Sequence, residues 1–146
     1  MKLSTRGRYG LRLMMDIALH CKESPVTLKD ISRRQEISEK YLWHLINPLK
    51  NAGLLKSSRG ARGGYVLGKP LNKISLEEIV RVVEGSLFIV ECTEKPSVCS
   101  RSHFCVAREV WGTISKTIAD SLRSITLQDI LENHNKKIAT AIDYHI

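Results

Sequence analysis

A chain of 146 residues with 42% hydrophobic content can bury the core of one small domain plus an arm, and no apolar run approaches the ~18 residues of a membrane span. The net charge of +8 is uneven: residues 1–70 hold 14 Lys/Arg against 5 Asp/Glu, a net of +9, and residues 71–146 hold 9 against 10, a net of −1. A basic amino-terminal half points to a polyanion such as DNA, and only 5% aromatics argues against base stacking on aromatic platforms.

Residues 1–23 open with a basic stretch followed by an amphipathic helix, which is not a secretory apolar region. Ser4 or Thr5 can cap this helix, which is expected to run to about Lys22. Gly10, Leu13, Met14, Ile17, Ala18 and Cys21 share one face that should pack inward. Cys21 reads as a buried free thiol. Lys2, Arg6, Arg8 and Arg12 suit DNA phosphates or a solvated face equally, and His20 has no visible partner. A cytoplasmic location is expected, so the four cysteines are not read as two structural disulfides.

After a turn at Pro25, residues 27–67 read as a helix-turn-helix with a β-wing. Thr27 can cap a short helix, with Asp30 at capping-box spacing, and Leu28 and Ile31 form its apolar edge. Gln35-Glu36-Ile37 crosses to Ser38, a second cap. From Glu39 the next helix places Leu42, Leu45, Ile46 and Leu49 at i, i+3, i+4, i+7, and Gly53 stops it. Pro48 should bend or loosen it. Thr27, Ser38, Glu39, Lys40, Tyr41, Trp43 and His44 are the candidate DNA contacts, since the start of the second helix reaches base edges in this motif. Leu54–Ser58 and Tyr65–Leu67 are expected strands. Between them, Arg59 and Arg62 supply charge at the tip, while Gly63 and Gly64 let the backbone approach a phosphate or groove wall. Helix pairs are common in all-helical proteins, and an Arg-Gly hairpin can be a solvated turn. Pair, wing and charge together favour double-stranded DNA.

Ser75 and Glu78 form a capping box for a helix over 76–84, with Ile79, Val80 and Val83 inward and Gly85 at its end. Ser86–Glu91 is an apolar, β-leaning connector. Cys92, Cys99 and Cys105 then fall within 14 residues of an expected loop. Thiolates there suit iron–sulfur clusters or Zn²⁺. A long helix over about 106–123 carries a stripe of Ala107, Val110, Trp111, Ile114, Ile118 and Leu122. Val110, Trp111, Ile114, Ile118 and Leu122 are the candidate homodimer contacts, the alternative being packing within one chain. Thr126 and Asp129 cap a short helix to about Glu132. Residues 133–146 read as a polar tail, weakly helical and partly disordered.

The expected fold is mainly α with a small β-wing: a winged helix-turn-helix DNA-binding domain plus a long dimerisation helix. The expected divisions are a DNA-binding domain over 1–85, a cysteine-rich sensor loop over 86–105, a dimerisation helix with a short following helix over 106–132, and a tail over 133–146. No enzyme signature is present. Gly60–Gly64 joins two strands and is not a phosphate loop, and there is no His-Glu zinc helix or nucleophile elbow.

MKLSTRGRYGLRLMMDIALH, ISEKYLWHLINPLKNAGLLKSSRGARGGYVL and the three-cysteine segment before a long helix resemble the Rrf-two family of bacterial transcription regulators, over about residues 1–132. The wing residues Gly60, Arg62, Gly63, Gly64 and Tyr65 carry the most specific part of the likeness, and the first ~90 residues look closest to the IscR branch. The resemblance implies a dimeric winged-helix regulator with an iron–sulfur cluster on Cys92, Cys99 and Cys105, a [2Fe–2S] cluster before a [4Fe–4S] one. Where the IscR branch has a fourth ligand, a His three residues past the last Cys, this chain has Arg108. Where the NsrR branch has an amino-terminal acid, it has Arg8. Neither coordinates. His103 is the first candidate for the fourth position, with Glu91, Glu109, solvent, a thiol or the partner subunit behind it. Zinc on Cys92, Cys99, His103 and Cys105, and a cluster-free regulator sensing thiol redox or a partner enzyme, are the alternatives.

Overall fold

A computed structural model describes residues 2–145, in the order α1 (Thr5–His20), α2 (Leu28–Gln35), α3 (Glu39–Asn51), β1 (Leu55–Ser58), β2 (Gly64–Leu67), a 3-10 turn (Leu71–Lys73), α4 (Leu76–Glu84), α5 (Glu91–Glu94), a second 3-10 turn (Pro96–Val98), α6 (Val106–Arg123) and α7 (Leu127–Asp143). The chain is mainly helical with one two-stranded antiparallel sheet. Most helix starts follow from their caps. Ser4, Thr27, Ser38, Ser75 and Thr126 each accept a bond from a first-turn backbone N–H, and Ser75/Glu78 and Thr126/Asp129 close full capping boxes. α3 continues through Pro48 to Asn51, and Gly53 follows at φ 77°, as its left-handed role requires.

One core joins Leu13, Met14 and Ile17 of α1, Ile31 of α2, the apolar face of α3, Leu54 and Leu55 of the wing, and Ile79 and Val83 of α4. α1 lies centrally, touching α2, α3, α4, α7 and β2. Its contact with α4 is close because a Cβ on Gly7 would come within 2.5 Å of Glu84 Oε1, and one on Gly10 within 3.0 Å of Val83 Cγ2. In the space left by Gly7, Glu84 Oε1 accepts from Ser4 N (2.9 Å), Ser4 Oγ (2.6 Å) and Gly7 N (2.9 Å). A carboxylate at the end of α4 thus serves the free donors at the start of α1.

α1 and α2 are joined by an ion pair whose carboxylate is buried. The Asp16 side chain is fully enclosed; Arg34 donates to it through Nε (3.0 Å to Oδ2) and Nη2 (2.7 Å to Oδ1), and Gln35 Nε2 donates at 2.8 Å. These hydrogen bonds to Asp16 hold the Arg34 guanidinium above its ordinary pKa. Arg12 in turn donates to the Gln35 side chain (3.1 Å) and to its backbone oxygen. The turn into α3 is made by Glu36, a non-glycine at φ 55°, with Ser32 Oγ donating to Ile37 O at 2.6 Å.

The wing pairs Leu55 with Leu67 and Ser58 with Gly64. β2 also bonds the turn before α2, through Val26 N to Tyr65 O (2.9 Å) and Tyr65 N to Val26 O (2.8 Å). Gly64 is needed there, because a Cβ would sit 2.6 Å from Val26 O.

Four local readings change. α1 ends at His20 with Cys21 as its C-cap, short of Lys22. The connector 86–90 forms no strand; the Ile89 N–H bonds Ser115 Oγ at 3.1 Å rather than a sheet edge. The segment 92–105 is not plain loop, because α5 and a 3-10 turn fold within it. The last helix does not stop near Glu132: α7 continues to Asp143, with a full capping box at its start and no Gly or Pro across 127–143 to break it. Its start is built into the core, with Leu127 and Leu131 buried and a bridge to α4 through Leu76 N to Ile125 O and Leu127 N to Ile74 O, both 2.8 Å.

Removing the Asp16 carboxylate leaves Arg34 without its anion. Because Arg34 still reaches water at its edge, Asp16→Ala should cost about 1–3 kcal/mol of stability, and Asp16→Asn, which keeps one acceptor, less. Urea denaturation of the two variants measures the difference.

Candidate nucleic-acid interface and cysteine segment

The start of α3 is set by the Ser38 cap, whose Oγ accepts from Tyr41 N at 3.2 Å. Ser38, Glu39, Lys40, Trp43 and His44 are exposed, and Trp43 keeps 47% of its surface open. An indole left in water while Leu42, Leu45 and Ile46 of the same helix are buried is a side chain free to meet a partner. Tyr41 is half-buried and stacks edge-on with Tyr9 of α1, centroids 5.7 Å apart. Arg8 and Arg12 flank the same Tyr9 ring at 6.0 and 5.2 Å. Tyr9 thus ties the basic start of α1 to the first turn of α3.

The amino-terminal cations divide. All of Lys2, Arg6, Arg8 and Arg12 are exposed, but Arg12 is committed to Gln35 and Arg8 donates to Thr5 Oγ1 at 3.2 Å. Thr27 is exposed, but its hydroxyl is engaged with Asp30, accepting from its N–H at 3.1 Å and donating to its carboxylate at 2.7 Å. At the wing tip, Arg59 and Arg62 stand exposed on a turn closed by Gly63 N to Gly60 O at 3.0 Å. The arrangement offers cations on a hairpin and a helix start bearing polar side chains, the two kinds of contact that position a protein on a duplex and read it.

All four cysteines are free and half-buried. Cys92 lies in α5, Cys99 ends the second 3-10 turn and Cys105 is the N-cap of α6, while His103 is exposed. Three soft thiols are chemically the right donors for iron–sulfur or zinc. Among the described residues, however, no three His, Cys, Asp or Glu side chains are gathered as a metal group. One residue not foreseen as a working part is Arg108, in the first turn of α6. Its Nε donates to Cys92 O at 2.8 Å and its Nη1 to Ser102 O at 3.5 Å. The sequence signal was only a cation three residues past the last Cys.

The stripe on α6 is split. Val110, Trp111 and Ile114 are 50%, 42% and 38% exposed. Ile118 and Leu122 are half-buried beside a groove of about 520 Å³ that Leu3, Leu87, Phe88 and Ile89 also line. No helix of the described residues is long and apolar enough to cross a membrane.

A family model described as Rrf2, iron-dependent transcriptional regulator, matches residues 3–133. The chain is 42% identical to protein Rrf2 of Nitratidesulfovibrio vulgaris, over 91% of this chain and 89% of that protein. Among solved structures it is similar to CymR, the global cysteine regulator of B. subtilis, with TM-score 0.74, 41% identity, and 91% and 98% of the two chains covered. It is equally similar to IscR of T. potens, with TM-score 0.74, 43% identity, and coverage of 92% and 88%.

Arg62→Ala is expected to weaken binding of every duplex alike and to reduce the slope of log affinity against log salt by about 1. Lys40→Ala should instead change preference among sequences, by roughly 1–3 kcal/mol at one base pair. Fluorescence anisotropy on a panel of duplexes at several salt concentrations separates the two effects.

Proposed function

Because the chain belongs to the Rrf2 family of transcriptional regulators and is not an enzyme, we propose that it works in the cytoplasm as a homodimer on a double-stranded operator, with the segment Cys92–Cys105 as its sensor. In this reading Ser38, Glu39, Lys40, Tyr41, Trp43 and His44 face base edges or nearby phosphates. Arg59 and Arg62, with Gly63 and Gly64, engage the backbone or minor groove beside them, and Thr27 sets the start of α2. Val110, Trp111, Ile114, Ile118 and Leu122 meet their copies across a two-fold axis, which pairs two readers for a two-fold site. The proposed parts follow the chain as a DNA-binding domain over 1–85, a sensor over 86–105 and a dimer helix after it, with α7 returning to the core.

The observation that carries the reading is the exposed apolar stripe on α6 directly after a half-buried three-cysteine segment, in a chain whose basic half holds the winged helix. Cys92, Cys99 and Cys105 would hold an iron–sulfur cluster, favoured as [2Fe–2S], with His103 the first candidate for the remaining position. When bound, the cluster supplies a redox-sensitive iron centre. The protein's part is to keep three thiols half-shielded at the foot of the dimer helix, so that a change in the segment bears on α6 through Ile89–Ser115 and Arg108. An occupant shifts DNA affinity only if it binds the two arrangements differently.

A second reading drops the cluster and uses the thiols themselves, or zinc. It is favoured by the likeness to a structure described as a global cysteine regulator.

Anaerobic reconstitution followed by absorption spectroscopy and iron and sulfide analysis separates the readings. The first expects about two irons and two sulfides per chain, lost in Cys92→Ala, with operator affinity changing about tenfold or more between loaded and empty protein. Zinc alone, or empty protein that still binds DNA in a thiol-dependent way, would select the second. Equal affinity of loaded, empty and Cys92→Ala protein on every operator tested would defeat both.

A further inference from the structure

We propose that Arg108 is the positioning residue of the cysteine segment: its guanidinium straps Cys92 and Ser102 to the first turn of α6 and so holds the segment in place before any metal or oxidant arrives. The proposal rests on reading Cys92–Cys105 as the sensor, and it deepens that reading by making Arg108 the residue that holds the empty segment in place.

The backbone bonds inside the segment are all short in sequence. Thr93, Lys95, Val98, Cys99, Ser102 and Phe104 each donate to a carbonyl three or four residues back. Such turns shape the chain locally and do not fix it to anything else. Besides the packing of α5 on α6, the hydrogen bonds that fasten the segment to the long helix come from two side chains of α6. Ser115 Oγ accepts from Ile89 N at 3.1 Å, before the first cysteine. Arg108 reaches Cys92 O across 16 residues at 2.8 Å and Ser102 O across 6 residues at 3.5 Å. Its two bonds therefore bracket the span that holds Cys92 and Cys99, and the arginine itself lies three residues past Cys105.

The chemistry suits a strap rather than a ligand. A guanidinium has donors in a planar fork, no lone pair to give a metal, and a charge that persists at any working pH. Carbonyl oxygens accept from it whether the neighbouring sulfurs are thiols, thiolates, oxidised or metal-bound. Ser102 is only 6% exposed, so its carbonyl end is held close in. A segment fastened this way keeps its place when empty. Filling or oxidising it becomes a local rearrangement of sulfurs, not the ordering of a disordered loop.

The test is thiol alkylation of metal-free, reduced protein, followed cysteine by cysteine by mass spectrometry, in wild type, Arg108→Ala and Arg108→Lys. Hydrogen exchange of 92–105 is measured alongside. Losing the strap should speed alkylation of Cys92 and Cys99 about tenfold, the factor that about 1.4 kcal/mol of lost hydrogen bonding gives, while Cys21 on α1 keeps its rate. Lys keeps the charge but not the fork, so Arg108→Lys should also speed these two cysteines, by less. Unchanged rates and exchange in both variants overturn the proposal. So does acceleration that includes Cys21, because it would show general loosening of the fold. A wild-type protein that takes up no iron defeats the cluster reading and leaves this comparison intact, since it is run without metal.

Discussion

The fold depends on a carboxylate with no access to water. Asp16 sits inside α1 between Leu13 and Ile17, and a bare charge there would cost several kcal/mol. Arg34 and Gln35 of α2 supply the compensating donors, so α2 has one position that satisfies the group. Arg12 then fixes Gln35, and Tyr9 next to it carries Tyr41 of α3. The helix pair that presents the candidate reading surface is therefore aligned by a buried polar network on α1, and the apolar core fills in behind it.

What could be read from the residues alone was whatever is local. Caps at Thr27, Ser38 and Ser75, the stop at Gly53, the wing and the long helix after Cys105 all rest on patterns a few residues wide. The crossing at Gln35-Glu36-Ile37 was legible, but the left-handed conformation of Glu36 was not, because a non-glycine in that conformation has no local marker. The pairing of Asp16 with Arg34, and of Glu84 with the start of α1, escaped because partners 18 and about 80 residues apart leave no periodic trace. The polar composition of 133–146 suggested a loose tail, yet a run without breakers and with a firm cap at Thr126 continues as helix.

The candidate site divides the same way. Exposure of Ser38, Lys40, Trp43, Arg59 and Arg62 follows from helix and hairpin periodicity, which the residues announce. The surroundings of Cys92, Cys99 and Cys105 do not. Their spacing names a donor set but not a geometry, and His103 is in the right stretch of chain while standing out in water. Arg108 was legible only as a residue that cannot coordinate. Its bonds to two backbone oxygens involve no side-chain pattern at all.

α6 departs from the body after the cysteine segment and is brought back by the Ser75–Thr126 bridge, where α7 plugs Leu127 into the core. A rod pinned at one end swings, and its far tip sweeps an arc. A rod also pinned where it returns, and lying against α4 along the way, keeps mainly rotation about its own axis. Under the proposed two-fold assembly on such a helix, an input near Cys92 would therefore reach the partner as torsion of the rod, with little change in its span.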